Sequence, residues 1–199
     1  MKRLPKEVRK KEIRECAKKI FLEKGFKDTT MEDVVNASGM SKGGVYRHYK
    51  STADMLHDLM VDAMDERFYD VGEFAKANPN LSKEDVFVEI TILKILDKKD
   101  LKSLWAMLLI EAEKDERLRE VRDRLLKESI SEFLEHIEKI ELGEMRCLVN
   151  EEIVAFINSM MVAIEVLSVR ETFMNHKQMF RSFLKNYISE NGKKGEENG

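Results

Sequence analysis

Apolar residues recur at intervals of three and four along most of the chain, which is the spacing of one face of a helix. The first such stripe predicts a helix from about Pro5 to Lys24. A second stripe predicts a long helix from Ser51 to about Ala77, and the pattern repeats as far as Ile188. Only 2 prolines occur in 199 residues, so little interrupts these helices. The expected fold class is therefore all-α.

The stretch between the first two stripes predicts two short helices joined by a tight turn. Thr29 and Glu32 have the spacing of a capping box at the start of the first helix. Gly39 ends that helix, because glycine adopts positive φ without a Cβ clash. Ser41 then predicts the cap of a second helix that runs to about His48. Two helices joined by a short glycine-containing turn are typical of a helix-turn-helix motif.

The second helix of this motif has a low intrinsic helix propensity. Gly43 and Gly44 each cost about 1 kcal/mol relative to alanine. A close approach of the backbone to a partner would account for both. The side chains left for solvent are donors and an aromatic ring, which suit phosphate oxygens and base edges. The candidate DNA-binding residues are Thr30, Ser41, Lys42, Gly43, Tyr46, Arg47, His48 and Lys50. The plainer interpretation is a solvated turn between two ordinary helices.

We expect these candidates to divide between phosphates and bases. The two lysines should mainly hold phosphates. Tyr46 and His48 should bond to phosphates or stack on the sugar-phosphate edge. Thr30 and Ser41 offer hydroxyls and free N–H groups at helix starts. Arg47 is the candidate for a base contact.

The same stretch resembles the DNA-binding motif of the TetR/AcrR family of one-component regulators. The matching features are Thr29-Thr30, the Ala37-Ser38-Gly39 turn, Ser41-Lys42-Gly43, and Tyr46-Arg47-His48-Tyr49 followed by Lys50. The likeness extends loosely over residues 7–67, and beyond them only length and helical character match. One departure is Gly44, where family members often carry a larger or polar residue. A bare backbone there removes one possible base contact.

The resemblance implies a division of the chain. Residues 7–67 would form a helix-turn-helix domain with its motif at about 30–49, and residues 68–190 an effector-binding and dimerisation domain. Each protomer of a homodimer would place its second motif helix in a major groove of a palindromic operator. Effector binding would shift the helix that follows the motif and release the operator. Residues 191–199 are polar and glycine-rich, and we expect them to be disordered.

Charge is distributed unevenly along the chain. Residues 1–50 carry fourteen Lys and Arg against seven Asp and Glu, a net charge of +7. The remainder carries 21 basic and 31 acidic residues, a net charge of −10. A basic head on an acidic body is typical of a nucleic-acid-binding domain attached to one that does not bind nucleic acid.

The segment from Ile153 to Val169 is apolar at 13 of its 17 positions. A helix that is apolar nearly all round is buried on more than one side. A membrane span needs about 20 apolar residues, and Glu165 also argues against one. We therefore expect one face to pack on the protein's own core and another on a second copy. With the amphipathic helix around Phe180 to Ile188, it predicts a four-helix bundle across a two-fold axis.

Sequence motifs of enzymes and metal sites are not found. There is no nucleotide-binding glycine loop, no HExxH and no supported Cys-His or Ser-His arrangement, so we expect no catalytic residue, cofactor or metal site. Cys16 and Cys147 predict reduced thiols in a cytoplasmic protein, with a redox switch between them as the alternative. His57 and His136 are expected in the core as satisfied histidines. The N-terminus has no apolar segment of the kind found in signal peptides.

An apolar effector pocket is predicted from the many methionines. The chain has 12, and methionine adapts to irregular apolar shapes. The candidate lining residues are Trp105, Met107, Phe133, Phe156, Met160 and Met161. Few polar groups accompany them, which favours an acyl chain or a lipophilic drug as the effector. The equally open interpretation is that these residues are simple core or dimer seam.

Together these patterns and the resemblance predict a ligand-responsive DNA-binding transcriptional regulator; we expect a repressor, and the sequence leaves open whether it represses or activates. Its expected partners are a double-stranded DNA operator, a small-molecule effector and a second copy bound through the two C-terminal helices, with no membrane. The alternative is a ligand-independent helical protein whose basic head binds DNA or acidic partners without sequence preference.

Overall fold

The computed structural model describes residues 5–139 and 143–192, with the side chains of all of them except 65–72 and 143–144. These residues form helices and turns and no strand, so the all-α fold class is confirmed. The α-helices are α1 (Lys6–Lys24), α2 (Met31–Ser38), α3 (Lys42–Tyr46), α4 (Thr52–Ala77), α5 (Lys83–Leu96), α6 (Asp100–Glu111), α7 (Glu116–Lys139), α8 (Glu151–Leu167), α9 (Arg170–Met174) and α10 (Lys177–Asn191). A 3-10 helix, Gly143–Val149, precedes α8.

Most helix ends lie where the sequence predicts them. Gly25, with a φ of 80°, ends α1, and the ring of Phe26 packs edge to face on Phe21 at 4.7 Å. Ser51 and Asp54 cap the start of α4 reciprocally, through N–H to side-chain oxygen distances of 3.0 and 3.1 Å. These contacts satisfy amide groups that the first turn of a helix leaves unpaired.

The capping box of α2 is one residue later than predicted. Thr30, rather than Thr29, is the N-cap, and its partner is Asp33 rather than Glu32. The N–H of Asp33 donates to the Thr30 hydroxyl at 3.2 Å, and the N–H of Thr30 donates to the Asp33 carboxylate at 2.7 Å. Thr29 is buried and donates its hydroxyl to the carbonyl of Gly25 at 2.6 Å. Glu32 is thereby left on the surface.

Three further details differ from the sequence expectations. Helix α3 ends at Tyr46, two residues before the predicted His48. The short helix α9 and the 3-10 helix were not predicted, since neither is long enough to show a helical period. Helix α10 continues to Asn191, the first residue of the expected disordered tail, and residues 193–199 lie outside the described part of the chain.

The chain divides into two compact units, the first of which comprises the chain up to Met64 together with Asp100–Leu125. Within it, α1 packs against α2 and α6. The fully buried side chains of this core include residues of α1, α2, α3, α4 and α6: Ile13, Ala17, Phe21, Val34, Val45, Met55, Leu56, Leu104 and Leu108. Burial of such side chains supplies most of the stability of a unit this small. The predicted domain boundary at residue 67 remains a prediction.

The second unit comprises Asp65–Lys99 and Leu126–Gly199. In its described residues, α5 packs against α8, α9 and α10, and the 3-10 helix packs against α8 and α10. Arg170 joins two of these elements by donating to the carbonyl of Asp97 at 2.6 Å and by pairing with Glu165. The apolar helix α8 buries one side, at Ile153, Ile157, Met161 and Ile164.

Candidate nucleic-acid interface

Local capping fixes where α3 begins. Gly39, with φ 63° and ψ 11°, takes the left-handed conformation that ends α2. Ser41 follows in extended conformation, and its hydroxyl accepts the N–H of Gly44 at 3.2 Å. The second predicted cap is therefore confirmed, and the turn and the start of α3 are set by residues of the motif itself.

Helix α3 presents one side to the core and the other to solvent. Val45 and Tyr49 are 0% and 3% exposed, and they anchor the inner side. The predicted candidates lie on the surface: Thr30, Ser41, Lys42, Gly43, Arg47 and Lys50 are exposed, and Tyr46 and His48 are half-buried. The structure thus brings all eight candidates to the surface around α3, where their donors can reach a partner.

The two glycines of α3 have different surroundings. A Cβ added at Gly43 would meet no atom of the described structure within 4 Å, so nothing described inside the protein calls for glycine there. A Cβ at Gly44 would lie 3.2 Å from the hydroxyl oxygen of Ser41 and would crowd the cap. Gly44 therefore protects the start of the helix, whereas Gly43 leaves a bare stretch of backbone facing outward.

Lys42 is held over the surface by a neighbour from α2. Its Nζ lies 3.1 Å from Oε1 of Glu32 and 5.8 Å from the ring centroid of Tyr46. The hydrogen bond to Glu32 raises the pKa of Lys42, so the amine stays charged. Both side chains are well exposed, and such a pair exchanges readily for a phosphate. Glu32 was not among the predicted site residues, because its place beside Lys42 follows from the one-residue shift of the α2 cap.

His48 is a neutral group of the same surface. Burial lowers its pKa, and the nearby charge of Arg47 lowers it further. Since the ordinary value is about 6.5, the ring is uncharged at neutral pH. Among the described residues its Nδ1 has no hydrogen-bond partner. Lys50 donates to the carbonyl of Tyr46 at 3.2 Å, which places a cation at the C-terminal end of α3.

The six effector candidates fall into both compact units. Trp105 and Met107 are half-buried against the core of the first unit. In the second unit, the Phe133 ring meets Phe87 edge to face at 5.8 Å, and the Phe156 ring lies 4.5 Å from that of Phe183. Met160 is half-buried and Met161 is buried in α8. Whether they line a pocket remains a prediction.

Three further features bear on function: a surface depression, metal-binding groups and membrane-spanning helices. An open surface depression on α1 is lined by Val8, Arg9, Lys11, Glu12, Glu15, Cys16 and Ser38, and includes none of the six effector candidates. No group of three His, Cys, Asp or Glu residues in the described ranges has the arrangement of a metal site. Across residues 5–139 and 143–192, no helix combines the length and apolarity needed to cross a membrane.

Known proteins resemble this chain in the part that contains most of the interface. Residues 13–59 match the model of the bacterial regulatory proteins of the tetR family. The chain is 48% identical over 61 residues to the uncharacterized HTH-type transcriptional regulator YfiR of Bacillus subtilis, covering 31% of this chain and 30% of YfiR. It is 32% identical over 60 residues to the HTH-type transcriptional repressor KstR2 of Mycolicibacterium smegmatis, covering 30% and 29% of the two chains. The match thus spans less than a third of each relative.

The fold of the chain as a whole also has a solved counterpart. A TetR-family regulator structure from Syntrophomonas wolfei aligns with a TM-score of 0.71, covering 93% of this chain and 97% of that one. Sequence identity over this alignment is 18%, so the similarity is one of fold. The segment that matches the family model, residues 13–59, contains α2 and α3.

Proposed function

We propose that the chain is a TetR-type transcriptional regulator that binds duplex DNA through α3, because residues 13–59, which contain this helix, match the model of the bacterial regulatory proteins of the tetR family. The observation that carries the proposal is the surface of this helix. A five-residue helix, capped at Ser41 and anchored by Val45 and Tyr49, turns its donors outward. Such a helix with N-terminal donors matches the way a recognition helix enters the major groove.

The contacts divide by chemistry. Lys42 exchanges Glu32 for a phosphate, and the bare backbone at Gly43 lets the DNA backbone come close. Tyr46 and the neutral His48 bond to phosphate or sugar. Arg47, which is exposed at the C-terminal end of α3, contacts a base edge. The remaining candidates, Thr30, Ser41 and Lys50, support phosphate contacts at the helix ends.

The protein acts as a homodimer through α8 and α10. Apolar side chains on these helices stay exposed in the single chain, at Val166, Leu167, Met179 and Phe183. A second copy covering them would bury the side of α8 that the protein's own core leaves open. Two copies would then offer two α3 helices to a palindromic site with half-sites about 34–36 Å apart.

Regulation is by a small, largely apolar effector that releases the operator, so the protein is a repressor. Such a ligand can act only through unequal affinity for the DNA-bound and free forms. The apolar character of the six candidate residues favours a ligand of this class. Thermal unfolding in the presence of fatty acids, acyl-CoAs and lipophilic cations tests it, since a bound ligand raises the midpoint and an unbound one does not.

The test of DNA reading is selection from a pool of random duplexes, followed by competition with excess random DNA. A sequence-specific regulator keeps its selected duplex, whereas a binder that uses charge alone loses it. Lys42→Ala and Tyr46→Ala should each weaken binding of the selected duplex by about tenfold, equal to about 1.4 kcal/mol. The matched control is Lys139→Ala, which removes a lysine that is 74% exposed in α7. Wild-type affinity in both α3 variants would refute the placement of the interface.

A further inference from the structure

We propose that Arg124 in α7 is a positioning residue for α3, acting through His57 and Asp58 on Tyr49. The inference rests on the proposed function, because it concerns the helix that binds DNA. All the residues involved belong to the first compact unit. Their contacts form a continuous polar chain that leads from α7, along the start of α4, to the end of the recognition segment.

The last residue of this series of polar contacts is Tyr49, three residues after α3. Its backbone N–H donates to the carbonyl of Val45 at 3.1 Å, so the position of Tyr49 and the last turn of α3 are tied together. Its hydroxyl donates to Oδ2 of Asp58 at 3.0 Å. A helix of five residues has too few internal hydrogen bonds to hold its own orientation. The buried tyrosine therefore sets the direction in which α3 points.

Asp58 contacts side chains from more than one neighbouring segment. Its Oδ2 accepts the Tyr49 hydroxyl and also lies 2.7 Å from Nζ of Lys10 in α1. Arg14, also in α1, donates to the Tyr49 hydroxyl oxygen at 3.1 Å and pairs with Asp62 at 2.6 Å. One carboxylate thus holds the end of the recognition segment against both α1 and α4.

The ionisation of these groups suits the arrangement. Burial raises the pKa of Asp58, but hydrogen bonds from Lys10 and Tyr49 outweigh it, and the net shift is downward. Burial also raises the pKa of Tyr49 far above its ordinary value. Asp58 is accordingly an anion and Tyr49 a neutral donor at neutral pH, which is the pairing that a strong hydrogen bond to a carboxylate requires.

His57 connects Asp58 to Arg124 in α7. Its Nδ1 lies 3.5 Å from Oδ1 of Asp58, and its Nε2 accepts the Nε–H of Arg124 at 2.8 Å. His57 is 8% exposed, so its ring is largely shielded from water. Arg124 lies at the exposed surface of α7, and its hydrogen bond fixes the orientation of the buried imidazole ring. A change at Arg124 therefore passes to Asp58 through the imidazole ring.

Amide hydrogen exchange of the free protein tests the inference without DNA. Arg124→Leu should raise the exchange rates of the Arg47, His48 and Tyr49 amides about three- to tenfold, the range expected for loss of one hydrogen bond. Arg117→Leu is the matched control, since Arg117 is an exposed arginine of the same helix. Exchange in α5 and α8 should stay unchanged in both. Equal rates in the two variants would overturn the proposal.

Substitutions at His57 separate positioning from simple packing. His57→Gln keeps a side-chain acceptor for Arg124, so its exchange rates should stay near those of the wild type. His57→Leu fills similar space without an acceptor and should behave like Arg124→Leu. If the two His57 variants exchange alike, the hydrogen bond has no positioning role. This pair also provides the answer if Arg124→Leu does not fold.

A double variant tests the route. Tyr49→Phe keeps the buried ring and removes the hydroxyl, so the hydrogen bond between Tyr49 and Asp58 is lost. If Arg124 acts through Tyr49, adding Arg124→Leu to Tyr49→Phe should raise the exchange rates of the Arg47, His48 and Tyr49 amides by less than twofold further, whereas independent effects would multiply. Multiplying effects would contradict the route.

Binding of the duplex selected by the wild-type protein distinguishes the two proposals. Arg124→Leu should weaken it about three- to tenfold, while Arg117→Leu leaves it unchanged. If the wild type retains no duplex against competitor, the proposed function fails, while the exchange data still decide the role of Arg124. If the wild type binds specifically and Arg124→Leu exchanges as the wild type does, only the positioning inference fails.

Discussion

Helices α3 and α8 are stabilised in different ways. Helix α3 has five residues, two of them glycine, and depends on the Ser41 cap and two buried anchors. Helix α8 has 17 residues and holds its place by burying a row of aliphatic side chains. A short helix held by polar contacts can turn donors outward and be adjusted by single residues. A long apolar helix is fixed by packing and suits a permanent interface.

The largest effect on stability should come from a substitution in the packed helices of the second unit. Phe180 in α10 is 1% exposed, and its ring meets Phe173 at 5.3 Å. Phe180→Ala should lower the free energy of unfolding by about 3–5 kcal/mol, because it leaves a cavity in a close-packed core. Chemical denaturation measures this. The control is Ser182→Ala at an exposed position, which should change the free energy of unfolding by less than about 0.5 kcal/mol. If Phe180→Ala lowers it no more than the control does, the second unit is loosely packed.

Gly43 should separate stability from DNA binding. Because an added Cβ meets no described atom, Gly43→Ala should stabilise the protein by about 0.5–1 kcal/mol. It should also weaken binding of the selected duplex by about tenfold, since the methyl group would stand between the backbone and DNA. Denaturation and a binding titration on the same sample check both. Unchanged binding would show that DNA does not approach this backbone.

Acid should weaken the cap of α2. Hydrogen bonds from Lys24 and then Thr30 lower the pKa of Asp33. A lowered pKa means that the stabilisation is fully present above the unfolded value of about 3.9 and is lost as pH falls through the lower folded value. Unfolding free energies measured from pH 6 downward should fall less steeply for Asp33→Asn than for the wild type. Equal slopes would contradict the role of this carboxylate.

The smallest effect should come from Glu32. Glu32→Gln removes the carboxylate that holds Lys42 and should raise the affinity for random duplex DNA by about twofold, because exposed ion pairs contribute roughly 0.2–1 kcal/mol. Glu135→Gln, at an exposed pair in α7, is the control for net charge. Equal increases in the two variants would assign the effect to overall charge rather than to Lys42.

The sequence alone predicts features that depend on neighbouring residues. The Ser41 cap and the Gly39 turn are both confirmed, since each follows from local conformational preference. The predicted N-cap of α2 was wrong by one residue, because Thr29-Thr30 and Glu32-Asp33 offer two capping pairs with the same spacing. Only burial of Thr29 under the end of α1 decides between them.

Contacts between residues distant in sequence could not be predicted. Arg124 and His57 are 67 positions apart, and neither helical period nor capping pattern joins them. The same holds for Arg14 and Tyr49, 35 positions apart. Their meeting depends on how α1, α4 and α7 pack, which is a property of the folded core. The polar chain behind α3 is therefore a finding of the structure.

Protection of backbone amides on DNA binding tests the central proposal most directly. Hydrogen exchange is compared for the free protein and for the protein bound to its selected duplex. We predict strong protection of residues 41–50, with the helices of the second unit unchanged. Protection that leaves residues 41–50 unaffected while a specific duplex is bound would show that another surface reads the DNA.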